Sequence, residues 1–234
     1  MRLDKLLADV GYGSRKEVKK LLKSGVVSIN QEVNKDPKTQ VNPGTQEVIV
    51  AGEVVHYQSE VYLMLNKPKG VISATEDQLH RTVIDLIDEK WSSYSIFPVG
   101  RLDKDTEGLL LLTTDGAFSH RLMSPRRHVS KVYQAKVDGV VTSEDIEAFR
   151  LGVELDDGYV TKPAALTILE SSEISYIELT ITEGKFHQVK RMFKARGKTV
   201  LTLKRKAIGQ LELDHSLAPG ESRELTEEEL ALFE

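Results

Sequence analysis

Gly100-Arg101-Leu102-Asp103-Lys104-Asp105-Thr106-Glu107-Gly108 sets two aspartates two residues apart, just before the apolar run Leu109 to Leu112 and the turn residues Thr113-Thr114-Asp115-Gly116. A polar loop feeding a buried strand can hold a carboxylate against a cleft. Such a carboxylate serves as a nucleophile, as half of a glycosidase pair or as a ligand for a hard cation. An aspartate beside glycine also commonly caps a turn. Spacing alone leaves all four open.

The elements that would position this loop follow from hydrophobic period and caps. Leu3, Leu6, Leu7 and Val10 mark one face of a short helix that Gly11 can end. Ser14 and Glu17 have capping-box spacing for a second helix that buries Val18, Leu21 and Leu22 and stops at Gly25. Val26–Ile29 and Val48–Val50 read as strands. The pattern changes near His56 to Glu60. Beyond it, strands are expected at 61–65, 108–114, 131–141, 159–169 and 176–182. Helices are expected at 82–90, 142–151, 187–196 and from Thr226. Strands outnumber helices without alternating with them, which predicts an α+β domain on a largely antiparallel sheet.

The chain has no cysteine, so it has neither a disulfide framework nor a thiolate nucleophile. It has no apolar run long enough to span a membrane and no signal-peptide core, so a cytoplasmic protein is expected. The net charge of −4 conceals its distribution. Residues 1–25 carry +4, 116–137 carry +5 and 184–206 carry +9, leaving −22 on the remaining 164 residues. A single charge run is usually a solvated face. Three basic blocks in an acidic chain fit a polyanion footprint better, because lysine and arginine gain by releasing phosphate counterions.

Residues 1–58, with RLDKLL, GYGSRKEV and SGVVSIN in order, resemble the S4 RNA-binding domain. The resemblance implies that Arg15, Lys16, Lys19 and Lys20, with Lys23 beside them, hold RNA backbone. Residues 60–234 resemble the catalytic domain of the RsuA-like pseudouridine synthases, which modify ribosomal RNA. Four segments carry this second resemblance: LNKPKG (65–70), GRLDKDTEGLLLLTTDG (100–116), SPRRHVSKVY (124–133) and EGKFHQVKRM (183–192). It implies a mixed, largely antiparallel sheet with a central cleft. The whole chain looks most like the member acting on one uridine of 16S RNA, usually uridine 516; siblings acting on 23S RNA share the same motifs.

The reaction is an isomerisation, so no redox cofactor, nucleotide or metal is implied. The resemblance makes Asp103 the nucleophile, attacking either ribose or uracil. It lays Tyr133 against the base, where the hydroxyl can assist proton removal at C5, and pairs Lys185 with Asp103 to keep it ionised. Arg101 either fills the space of the flipped nucleotide or holds the loop. Ile181 packs the pocket wall, and Lys67 and Pro68 shape the loop beneath it. Arg126, Arg127, Lys190, Arg191 and Lys194 take phosphates, while His187 is RNA-facing or structural. The bland alternatives are a sheet tyrosine, a surface lysine and a core isoleucine. The expected partner is ribosomal RNA or a small-subunit assembly intermediate, bound by a monomer. A non-catalytic S4-type RNA-binding protein would account for the basic blocks but not for GRLD. A metal-dependent nuclease using Asp103 and Asp105 would need supporting acidic or histidine residues that the sequence lacks.

Overall fold

The structure, a computed structural model, describes every residue except His56, Gln58, Ser59, Pro125 and Glu234. The boundary read at His56 to Glu60 therefore falls partly outside the described residues, as does Pro125. The chain forms two compact units, Met1–Glu60 with Asp88–Ser95, and Val61–Ile87 with Ile96–Glu234. A division at residue 58 leaves 88–95 with the second domain. The structure assigns that segment to the first unit, where Trp91 and Tyr94 line one hollow with Pro43, Val54 and Tyr57.

In the first unit, α1 (Leu3–Asp9) and α2 (Arg15–Ser24) precede β1 (Val27–Ile29), β2 (Glu32–Val33), β3 (Val48–Val50) and β4 (Glu53–Val54). These four strands form an antiparallel sheet in the order β2-β1-β3-β4. Leu3, Leu6, Leu7, Val18 and Leu22 bury completely against Val27, Val48 and Val50. Ser14 and Glu17 form the capping box at the start of α2, and Gly25 ends it in the left-handed region. Arg15, Lys16, Lys19, Lys20 and Lys23 all lie exposed on α2.

The second unit continues with β5 (Tyr62–Lys67), β6 (Phe97–Val99), β7 (Glu107–Thr113), α3 (Gly116–Met123), β8 (Lys131–Asp138), α4 (Ser143–Leu151) and β9 (Ala165–Glu170). Then come β10 (Ile174–Ile181), α5 (Gln188–Ala195), β11 (Thr199–Ile208), β12 (Leu211–Glu212), β13 (Ser222–Glu224) and α6 (Glu227–Ala231). The sheet runs β13-β5-β7-β11-β8-β10-β9, with β6 on β7 and β12 on β11. Every pairing is antiparallel except β7 with β11. At that parallel contact a Cβ on Gly108 would lie 2.2 Å from the Arg205 carbonyl oxygen, so only glycine lets the strands meet.

Three expectations change. The helix expected over 82–90 is two short 3-10 turns, Ile84–Leu86 and Glu89–Trp91, separated by an extended Ile87. Asp85 ties back to Thr82, and Asp88 accepts from Lys90 N to start a new turn. The strand expected from Tyr159 starts only at Ala165, after Pro163, which has no N–H to give a ladder. The third basic block ends in the ten-residue strand β11, at the centre of the sheet. No helix among the described residues is long and apolar enough to cross a membrane.

Along β8 the side chains alternate, burying Lys131, Tyr133, Ala135 and Val137 and exposing Gln134, Lys136 and Asp138. Helix α5 packs on β11 and buries Val189, Met192 and Phe193, with Phe193 meeting Phe149 of α4 at 4.9 Å. Asp145 at the first turn of α4 is 1% exposed and bonded to Arg196 and Lys198. Burial would raise its carboxyl, but these cations and the Thr142 amide outweigh it and hold it below the usual range.

Candidate active site

Asp103 is presented by a turn whose backbone is tied down on three sides. Its own carbonyl accepts from Thr106 N at 3.0 Å. Ser73 Oγ takes the Leu102 amide and returns a bond to the Leu102 carbonyl, both at 3.0 Å. Beneath the turn, Lys67 is fully buried and points Nζ at four carbonyl oxygens: Thr106 at 2.9 Å, Asp103 at 3.0 Å, Pro68 at 3.1 Å and Lys104 at 3.4 Å. Burial pushes this ammonium down to about 8, against the pull of Asp105 and Asp103. Lys67 thus holds backbone, and Pro68 supplies one of the carbonyls.

The Asp103 carboxylate, 28% exposed, faces a cavity of about 80 Å³ lined by Arg101, Leu102, Thr106, Tyr133, Ile181, Lys185, His187 and Leu203, among others. Tyr133 and Ile181 are 7% and 3% exposed. Both sit on the sheet floor, from β8 and from the end of β10. Arg101 is at the rim and exposed. A larger hollow of about 400 Å³ near Phe118, Arg121, Arg127 and Phe233 has no carboxylate among the described residues that line it.

The cation beside Asp103 is not the one expected. Lys190 Nζ lies 3.3 Å from Asp103 Oδ2 and 2.5 Å from Asp105 Oδ1, and His187 Nε2 lies 3.5 Å from Asp103 Oδ1. Lys185 instead sits over the Tyr159 ring at 4.4 Å. Residues 183–187 explain the difference. Gln188 accepts from Lys185 N and donates to Glu183, which also takes the Tyr159 hydroxyl and the Lys162 amide. That network turns Lys185 toward Tyr159 and brings the first turn of α5 to Asp103. Lys190 also holds Asp105 below the usual carboxylate range through its hydrogen bond. His187 reaches Asp103 as the N-cap of α5, in the left-handed region, and Lys190 from its first turn.

The expected phosphate contacts divide. Lys190 is committed to the two aspartates, and Arg191 is ion-paired with Asp156 and Asp157. Lys194, Arg126 and Arg127 remain exposed. Two buried cations escaped the sequence reading. Arg205, 2% exposed and cross-strand from Tyr133, donates Nε to the Leu109 carbonyl. Lys131 donates to the Val129 carbonyl, and burial, aided by Arg205, pushes it down to about 8. Among the described residues, no group of three or more histidine, aspartate or glutamate side chains could hold a metal ion.

Comparison with known proteins decides what this geometry belongs to. A family model described as RNA pseudouridylate synthase matches residues 61–195, and the S4 domain model matches residues 1–47. The chain is an RNA pseudouridine synthase of the RsuA-like family. It is 55% identical over 234 residues to an uncharacterized RNA pseudouridine synthase of Bacillus subtilis (strain 168), covering 100% of this chain and 98% of the relative. It is 43% identical over 233 residues to ribosomal small subunit pseudouridine synthase A of Vibrio vulnificus (strain CMCP6), covering 98% of each. A crystal structure of a pseudouridylate synthase superposes with a TM-score of 0.70 at 36% identity, covering 100% of this chain and 99% of that one. In this synthase the GRLD loop, the β8 tyrosine and the first turn of α5 are thus the parts gathered around one cavity.

Proposed function

We propose that this synthase converts one uridine of 16S ribosomal RNA to pseudouridine, at uridine 516, with Asp103 as the nucleophile. The observation that carries the mechanism is the Asp103 carboxylate set beside Lys190 and His187 at the mouth of a cavity floored by Tyr133 and Ile181. The relatives named for the small ribosomal subunit support the choice of RNA.

The reaction breaks the N1–C1′ bond of uridine, turns the uracil and forms a C5–C1′ bond. The C5 proton leaves and N1 gains one, so no atom is added overall. The uridine must leave its stack to reach Asp103, at a cost of a few kcal/mol. Phosphate contacts from Lys194, Arg126, Arg127 and the α2 cations Arg15, Lys16, Lys19 and Lys20 offset that cost. Arg101 at the rim fills the vacated space or steadies the loop. Asp103 attacks with Lys190 beside its carboxylate, and Lys185 at the cavity wall meets the incoming nucleotide. The free base stays between Tyr133 and Ile181 while it turns, and Tyr133 takes part in removing the C5 proton. The substrate is ribosomal RNA, free or in a partly assembled small subunit in the cytoplasm, and the enzyme works as a monomer without a nucleotide cofactor.

Because C5 loses its hydrogen, RNA transcribed with 5-tritiated uridine releases tritium to solvent as product forms. The proposal expects one equivalent released per 16S RNA and none from 23S RNA. Release from 23S RNA alone would move the target to the large subunit. Release from neither, as naked RNA or ribonucleoprotein, would leave an S4-type binding protein.

A further inference from the structure

Phe186 is 75% exposed, more than any other aromatic side chain among the described residues. A lone exposed apolar residue needs no explanation, but this one is built into the site. Its ring stacks on His187 at 3.8 Å between centroids and 17° between planes. The same His187 imidazole reaches Asp103 through its Nε2, 3.5 Å from Oδ1. One imidazole therefore contacts both Asp103 and a ring that stands mostly in solvent.

The backbone that carries the stack is fixed. Lys185 N donates to Gln188 Oε1 at 2.9 Å, and Gln188 N donates to the Lys185 carbonyl at 3.1 Å. Arg191 Nη1 reaches the Phe186 carbonyl at 3.5 Å while its guanidinium is anchored on Asp156 and Asp157. His187 occupies the left-handed region, at φ 48°, which is costly for a residue with a Cβ and is typically retained where function needs it. A hydrogen-bonded segment thus holds one aromatic ring open, next in the chain to the exposed cation Lys185.

We infer that Phe186 is a stacking platform for a nucleobase of the RNA that flanks the target uridine. The inference rests on the RNA-modifying reading above and extends it to a neighbour of the reacting nucleotide. Every base has a π-face, so such a platform holds the strand without reading its sequence. A ring already fixed in place loses little freedom on binding. By continuing the His187 stack outward, it sets the flanking base at a defined distance from Asp103.

The test uses the full chain with Phe186→Ala, Phe186→Leu, Phe186→Tyr and Phe186→Trp, and a 16S ribosomal RNA transcript. Base–aromatic stacking predicts that alanine and leucine weaken RNA binding by roughly 5- to 150-fold, with tyrosine and tryptophan within about threefold of wild type. The emission of the introduced indole, after subtraction of the Trp91 signal measured in wild type, is quenched by the RNA. Leucine binding as well as phenylalanine would make the contact merely apolar and overturn the platform. So would alanine binding as wild type, or an unquenched indole. Tyrosine is the folding control, since it keeps both the ring and the packing. Product formation by wild type with no quenching sinks the platform alone. Quenching without any pseudouridine in wild-type reactions sinks the enzymatic reading alone.

Discussion

Lys67 Nζ lies 3.0 Å from the carbonyl oxygen of Asp103. A buried ammonium has three protons, and here four carbonyls of one turn and its neighbour compete for them. The backbone that carries Asp103 is thus held by a buried charge.

Replacing that charge tests its role. Lys67→Met should lower turnover roughly 100-fold, the scale of an ångström-sized misplacement at a reacting centre, with RNA affinity near wild type. Because the ammonium titrates near 8, raising the pH through that value removes one donor, and wild-type turnover should decline there. Single-turnover rates from pH 6 to 9 check both. A Met variant as fast as wild type would reduce Lys67 to packing.

The pairing at Asp103 separates two lysines. Lys190→Met removes the ammonium 3.3 Å from Oδ2, whereas Lys185→Met removes one over Tyr159. Turnover should fall at least about tenfold more in the first than in the second, since only a charge near the carboxylate favours its ionised form. Equal losses would mean that Lys185 moves to Asp103 when RNA binds.

The cations on α2 make a separate prediction. Neutralising Lys16, Lys19 and Lys20 together to glutamine should weaken 16S RNA binding. The slope of log affinity against log salt should shrink by roughly 0.7 for each phosphate no longer neutralised. An unchanged slope would leave these exposed side chains as solvated surface.

Burial of Lys131 predicts a pH-dependent stability. Its charged form is disfavoured in the folded state, with the pKa down to about 8 from 10.5. At neutral pH folding bears the whole penalty; between about 8 and 10.5 the unfolded chain holds the extra proton, so stability rises with pH. Lys131→Met should therefore stabilise the protein by about 1–3 kcal/mol at pH 7, with the gain vanishing above about pH 10. Denaturant midpoints across that range check it. A destabilising methionine at pH 7 would mean that the bond to Val129 outweighs the buried charge.

Most of the helices were legible because caps and period are local signals: Ser14 with Glu17 forms the expected box, and α4 and α6 begin directly after Thr142 and Thr226. The GRLD loop, Tyr133 and Ile181 were legible as motifs and do share one cavity. The strand β11 was not, since buried Arg205 disguises a central strand as a basic surface block. Nor was the choice between Lys185 and Lys190, which depends on Gln188 and Glu183 turning the loop. That is a tertiary arrangement with no signature in spacing alone. The segment Asp88–Ser95 joined the first unit for a similar reason: Trp91 and Tyr94 line a hollow there with Pro43, Val54 and Tyr57, residues distant in sequence.

The central claim is that Asp103 makes pseudouridine in small-subunit RNA, and site-resolved pseudouridine mapping tests it most directly. Both 16S and 23S RNA would be mapped after incubation with wild type and with Asp103→Asn. One new site in 16S RNA, made by wild type and reduced at least about a thousandfold in rate in the variant, with RNA binding retained, is the predicted result. The same site formed at a similar rate by Asp103→Asn would contradict the account, because the carboxylate that this fold positions would then not be the nucleophile.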